Sequence, residues 1–203
     1  MRVTLITPSD ENGKRQIYID DAPFVSMTSD LIMSLDIHVG DDIDEARLDE
    51  ITVRAESVAA LQKAYTYLSY NALSRKALCD KLRRAGYSDA ACGMAADRLE
   101  QVGMIDDGDL CERLVDVMRR TKMWGARKVR YELGRRGIPE ALIREALEDG
   151  FDDTENAIRQ IRKKYAGKDP ADPKTKAKIL AGLSRLGFDY ETIRSAREAW
   201  EEE

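Results

Sequence analysis

One spacing occurs three times in this chain and limits what it can fold into. Leu78, Leu82, Gly86 and Tyr87 follow one another at intervals of four, four and one. Val129, Leu133, Gly137 and Ile138 keep the same intervals, and so do Ile179, Leu183, Gly187 and Phe188. The glycines are separated by 51 and then 50 residues. A near-constant period of that length marks repeated supersecondary units. Two apolar residues four apart share one helix face. A glycine four residues later fits the left-handed position that ends a helix. The apolar residue after it folds back on the last turn. Tyr87, Ile138 and Phe188 are therefore expected against Leu82, Leu133 and Leu183.

Each copy has a helix on either side. Cys92, Ile143 and Ile193 are the sixth residues after the glycines, and Ala95, Ala146 and Ala196 the ninth. They mark one face of a following helix. Leu61/Tyr65/Leu68, Leu110/Leu114/Val117 and Ile158/Ile161/Tyr165 mark a preceding one. The expected fold is mainly α. Three tandem three-helix, helix-turn-helix-like repeats form an elongated curved array, preceded by a small N-terminal antiparallel β-sheet region. The repeats are placed at 56–105, 106–152 and 153–203, after an acidic β-containing region at 1–55. Units of about 50 residues are small enough to lean on their neighbours for core.

In the N-terminal region, residues 2–7, 16–20 and 24–27 read as strands divided by turns at 8–13 and 20–23. Thr28 is a cap for a short helix at 29–35, and Asp44 caps another that runs toward Ile51 and breaks near 52–54. Ser74 caps the second helix of the first repeat, at 75–85. Ser88 or Asp89 caps the third. The second repeat has helices at 108–120, 125–136 and 139–149. Thr154 caps a helix at 155–166. Pro170 and Pro173 keep the loop at 167–173 from being helical, and helices at 174–186 and 190–200 complete the chain before a frayed end at 201–203.

Charge is unevenly spread. Residues 1–60 hold 5 Lys/Arg against 13 Asp/Glu, whereas residues 119–136 hold eight basic residues and one acid, Glu132. Such asymmetry points to a local anionic contact on an otherwise acidic body. At about 100° per residue, Ala126, Val129 and Leu133 share the inner face of a helix. Arg127, Lys128, Tyr131 and Arg135 face the other way, with Arg130 at the flank. Arg119, Arg120, Lys122 and Arg136 extend the patch. A cationic face with an aromatic inside it suits phosphate contacts and stacking. Lys76, Arg83 and Arg84 form a weaker counterpart in the first repeat. The alternative reading is a solvated helix face. Trp124 is assigned to packing at a repeat junction rather than to a base.

The residues offer little for catalysis. The only histidine, His38, falls in a loop. One His and three scattered cysteines, Cys79, Cys92 and Cys111, are too few for a zinc site. Asp106-Asp-Gly-Asp109 lacks calcium-loop spacing and reads as helix capping. No phosphate-binding glycine loop with its Lys-Ser/Thr is present. No cofactor or metal is expected, and the chain is read as a non-enzyme. It has no apolar run near the ~20 residues of a membrane span and no apolar leader. A cytoplasmic monomer is expected.

Several motifs resemble the RecX family. Tyr67-Leu-Ser-Tyr, Leu73 through Leu82 and Gly86 are similar to its first-repeat signature. Leu99-Glu-Gln-Val-Gly-Met-Ile-Asp-Asp107 resembles its Leu-x-x-x-Gly…Ile-Asp-Asp junction. Gly125 through Leu133, with Gly137 and Ile138, resembles its Gly-Pro-x-x-Ile-x-x-Glu-Leu motif. Ala126 stands where that motif commonly has Pro, Leu110 where Phe is frequent and Ala77 where Glu is. The resemblance implies a regulator that binds the RecA recombinase filament on single-stranded DNA, lies along its groove and restrains its ATPase, strand-exchange and co-protease activities. Two other readings stay open. One is a tandem helix-turn-helix protein that reads DNA without RecA. The other is a structural scaffold.

Overall fold

The protein is described as a computed structural model covering residues 1–148 and 153–202. The end of the helix expected at 139–149, the boundary at 152 and the last residue of the frayed end lie outside the described residues. The described chain carries β1 (Val3–Ile6), β2 (Lys14–Ile19), β3 (Ala22–Thr28) and the helices α1 (Ser29–Ser34), α2 (Glu45–Leu68), α3 (Arg75–Arg84) and α4 (Asp89–Gln101). These are followed by α5 (Asp107–Arg120), α6 (Ala126–Arg135), α7 (Glu140–Glu148), α8 (Asp153–Tyr165), α9 (Pro173–Arg185) and α10 (Tyr190–Glu201). The chain divides into two compact units, one of Met1–Asn71 with Leu78–Met104 and the other of Ala72–Ala77 with Ile105–Glu203.

In the first unit an antiparallel sheet of order β1-β2-β3 buries Val3, Ile17, Ile19 and Met27 against Ile32, Leu35, Ile43 and Ile51. Asp20 and Asp21, both at positive φ (47° and 64°), make the two-residue turn between β2 and β3. Short polar side chains tolerate that conformation, and such turns match the twist of the strands. Thr28 caps α1 and Asp44 caps α2, as their sequence positions indicate. The expected break near 52–54 does not occur: α2 continues unbroken to Leu68. Thr and Val are only weakly unfavourable inside a helix, and burial of Ile51 beside them outweighs that cost. The inner face of α2 is also displaced from the Leu61/Tyr65/Leu68 row. Ala60 and Ala64 are fully buried and Tyr65 is exposed. Alanines let α2 approach α4, whose Ala91, Ala95 and Ala96 are equally buried.

The second unit holds two cores. One is built from Leu110, Cys111, Val115, Met118, Val129, Leu133, Ile138 and Ile143. The other is built from Ala157, Ile161, Ile179, Leu183, Phe188, Ile193 and Ala196. On α5 the buried row is Leu110, Cys111, Val115 and Met118, whereas Val117 is exposed. Thr154 does not cap α8, since Asp153 before it is already helical.

The three glycine stops are alike. Gly86, Gly137 and Gly187 have φ of +96°, +80° and +90°. The next amides, of Tyr87, Ile138 and Phe188, each donate to the carbonyls of Leu82, Leu133 and Leu183 at 3.2 Å. These are the six-to-one bonds of a Schellman stop.

Two of the stops also receive the start of another repeat's middle helix. The Ser74 hydroxyl, which caps α3 by accepting from the Ala77 amide, donates to the Arg136 carbonyl at 2.6 Å. At the second junction the Gly125 amide donates to the Leu186 carbonyl at 2.9 Å. Ser74 and Gly125 are equivalent, and so are Arg136 and Leu186. A carboxylate completes each junction. Asp107 accepts from the Arg75 amide at 2.9 Å, and Asp153 accepts from the Ala126 amide at 3.0 Å. The middle helix of one repeat thus begins on the glycine stop of the next, and the next repeat's first helix satisfies its leading amide.

Candidate nucleic-acid and partner interface

The candidate surface is the outer face of α6 in the second unit. Val129 and Leu133 are fully buried, so the helix can turn only one way. Arg127, Arg130, Tyr131, Arg135 and Arg136 consequently face solvent, with Tyr131 64% exposed. The Arg135 guanidinium lies 6.0 Å from the Tyr131 ring centre, leaving the rest of the ring open for stacking. Lys76, at the start of α3, is brought to the far end of the same helix. Its side chain packs where a Gly137 Cβ would point, 3.0 Å away.

The charge of this face is partly neutralised. Arg130 pairs with Glu140 at 3.3 Å, and Arg135 with Glu132 at 3.3 Å. Exposed pairs of this kind contribute little to stability and open readily to a stronger anion. Arg119 and Arg120, at the end of α5, line a polar cleft with Asp116, Glu155, Asn156 and Arg159. Arg120 pairs with Asp116 there. Arg83 and Arg84 belong to the first unit. Arg83 is held by Asp80 and Asp89, and the Asp89 carboxylate raises its pKa further above the usual guanidinium value.

A feature absent from the sequence reading joins two of the predicted cations. The Lys122 and Lys128 ammonium groups lie 4.3 and 4.4 Å from the Trp124 ring centre. Trp124 itself packs against the core of the second repeat. Its position depends on Met123, which adopts a positive φ of 49°. The buried Gln160 side chain from α8 fixes this turn, donating to the carbonyls of Lys122 at 3.0 Å and Met123 at 3.3 Å. The signal for this arrangement was Lys-Met-Trp-Gly followed by Lys128. Spacing alone gave no reason for both lysines to meet the ring.

The start of α6 is not open to a ligand. The Gly125, Ala126 and Arg127 amides already donate to Leu186, Asp153 and Gly187. Anion binding at this helix N-terminus is therefore excluded, and the cationic side chains of the outer face remain. Arg127 also faces Asp189, the cap of α10. The Thr192 amide, with a smaller contribution from Arg127, holds the Asp189 carboxyl below the usual carboxylate range. A group with a lowered folded pKa stabilises above its unfolded value, about 3.9, and loses that contribution as pH falls through the folded pKa. Asp189→Asn keeps a capping oxygen and removes the charge. The stability gap between wild type and this variant is expected to narrow in thermal melts as pH drops below about 4.

The cysteines do not form a reactive centre. Cys79, Cys92 and Cys111 are buried thiols, and burial pushes those of Cys92 and Cys111 up. The thiolate is the reactive form. Among the described residues no cluster of His, Cys, Asp or Glu could hold a metal ion, and no helix is long and apolar enough to cross a membrane. Asp106 caps α5 by accepting from the Asp109 amide.

Comparison with known proteins matches all three repeats. Family models for the first, second and third three-helix domains of RecX match residues 60–99, 106–147 and 152–196. The chain is 37% identical over 121 residues to the regulatory protein RecX of Chlorobium phaeobacteroides, spanning 60% of this chain and 80% of that one. It is 29% identical over 198 residues to the regulatory protein RecX of Bacillus licheniformis, spanning 96% and 75%. A crystal structure of regulatory protein RecX superposes with a TM-score of 0.70 at 20% identity, over 97% of this chain and 98% of that one. The structure of RecX from Lactobacillus salivarius superposes with a TM-score of 0.64 at 22% identity, over 73% and 98%.

Proposed function

The chain belongs to the RecX family of regulatory proteins, and from that premise we propose that it is a non-catalytic regulator of the RecA recombinase. It binds the RecA filament on single-stranded DNA and restrains ATP hydrolysis, strand exchange and co-protease activity. It acts as a monomer in the cytoplasm, without a cofactor. The observation that carries this reading is the outer face of α6. Exposed arginines flank an exposed tyrosine on a helix whose opposite side is locked into the core. Arginine beside an open aromatic ring suits phosphates and unstacked bases, and the same cations suit acidic protein surface.

The competing reading is a sequence-specific duplex reader, and the repeat junction argues against the form of it in which α6 is the recognition helix. Helix-turn-helix proteins present the N-terminal residues of the recognition helix to base edges. Here the start of α6 is covered: a Cβ on Gly125 would lie 2.6 Å from the Gly187 and Phe188 backbone.

The test is RecA's ATPase activity on single-stranded DNA with the purified protein added. Hydrolysis is expected to fall as protein is titrated in. A rate indifferent to the protein would sink the proposal. A gel shift on duplex DNA without RecA separates the alternative, which requires tight, sequence-selective binding.

A further inference from the structure

The last turn of α6 carries a glycine that the helix does not need. Gly134 follows the buried Leu133 and is exposed. Nothing lies within 4 Å of where its Cβ would be. The equivalent residues of the other two repeats, Arg83 after Leu82 and Ser184 after Leu183, are also exposed and carry side chains. Glycine is the poorest helix former after proline. Gly134 is not the helix stop either, because α6 runs on to Arg135 and the left-handed residue is Gly137. Neither backbone conformation nor packing within the chain accounts for it.

Its place on the surface is specific. Arg127, Arg130, Tyr131 and Gly134 are spaced i, i+3, i+4 and i+7, and all four are exposed, so they form one row on the outside of α6. The residues three and four places on flank a helical residue, and helical side chains lean toward the N-terminus. Side chains at 134 and 135 would therefore lean toward Tyr131 from its two flanks. Arg135 does so, with its guanidinium 6.0 Å from the ring centre. Gly134 cannot, and the flank of Tyr131 on its side carries no side chain from that position.

We propose that Gly134 is a notch that lets one base of a single-stranded nucleic acid lie flat on Tyr131, with Arg127 and Arg130 on the neighbouring phosphates. A stacked base needs an uncovered ring face, and a long side chain at 134 would take its place. Charge alone would also admit an acidic protein surface. Carboxylates gain nothing from a bare ring, however, since its face is the negative end of its quadrupole. Bases within a duplex are stacked on one another and present edges rather than faces. The notch depends on the α6 face being the contact proposed above. It goes further by selecting a single strand over acidic protein and by naming the residues that receive a base.

The test uses the full chain without RecA, which separates it from the filament role. Fluorescence anisotropy follows binding to two labelled strands of equal length. One is oligothymidylate, and the other is abasic, keeping the phosphates and lacking the bases. Wild type is expected to prefer oligothymidylate by on the order of 10-fold. Gly134→Gln adds a neutral, helix-favouring side chain at an exposed site, so the variant should melt at or above the wild-type temperature. It is nonetheless expected to lose the preference and bind both strands as wild type binds the abasic one. Tyr131→Ala should do the same, and Gly134→Gln added to it should change nothing further. The proposal is overturned if wild type binds the two strands alike or binds neither. It is also overturned if Gly134→Gln keeps the preference, or weakens both strands equally. Inhibition of RecA's ATPase that persists in those cases leaves the regulator standing, with its arginines on acidic protein. A base preference in a protein to which RecA's ATPase is indifferent leaves the notch standing and the filament role overturned.

Discussion

Gly187→Ala is expected to cost about 3–5 kcal/mol, whereas the same change at Gly86 should cost only about 1 kcal/mol. Both positions lie in the left-handed region, so both variants carry the conformational penalty of a Cβ there. They differ in what the new methyl meets. At Gly187 it would lie 2.3 Å from the Lys128 amide nitrogen and 2.9 Å from its Cα. Those are backbone atoms in the first turn of α6, and they cannot swing aside. The junction must open, and with it the bonds that carry the α6 start and the clasp of Gln160 on the Met123 turn. Gly137→Ala should fall between the two, because its Cβ meets the side chains of Ser74 and Lys76 at 2.9 and 3.0 Å. Thermal melts followed by circular dichroism measure the order. The Gly187 variant should melt on the order of 10 °C or more below wild type. Equal losses at Gly86 and Gly187 would mean that the glycines serve only as helix stops.

That contrast also marks what could be read from the residues alone. Local signals were legible: the helix stops at Gly86, Gly137 and Gly187, and the caps Thr28, Asp44, Ser74, Ser88 and Asp106. Each depends on chemistry within a few residues of itself. Signals that depend on a distant partner were not. The role of Gly125 is set by Gly187, 62 positions away, and Asp153 serves an amide in the preceding repeat. The inner face of α2 was misplaced because Leu and Tyr outweigh Ala in any hydrophobic count. A close helix–helix approach selects Ala60 and Ala64 instead. The cationic stretch was visible as composition, but its division into exposed, paired and ring-stacked members was not. Glu140, which pairs Arg130, reaches it from the next helix.

Reversing the exposed cations should weaken the proposed filament contact far more than it weakens the fold. Arg127→Glu, Arg135→Glu and Arg136→Glu in one chain change residues whose side chains lie outside the core, so thermal stability should stay within about 1 kcal/mol of wild type. If these three arginines face phosphates or acidic protein, inhibition of RecA's DNA-dependent ATPase should require on the order of 10–100 times more protein. Salt separates the two partners. Contacts with single-stranded DNA release counterions, and each one lost should lower the log–log salt slope by about 0.7, or about 2 for three. Contacts with acidic protein surface release no condensed counterions, so the slope should change less while the affinity still falls. Arg113→Glu is the control. It sits on α5, paired with Asp109 at 2.9 Å, and changes charge away from the outer face of α6. Lys128 is left intact because its packing on Trp124 and against Gly187 would mix a loss of binding with a loss of structure. Inhibition undiminished in the triple variant would leave the face without a role and return the search for the contact to other surfaces of the repeats.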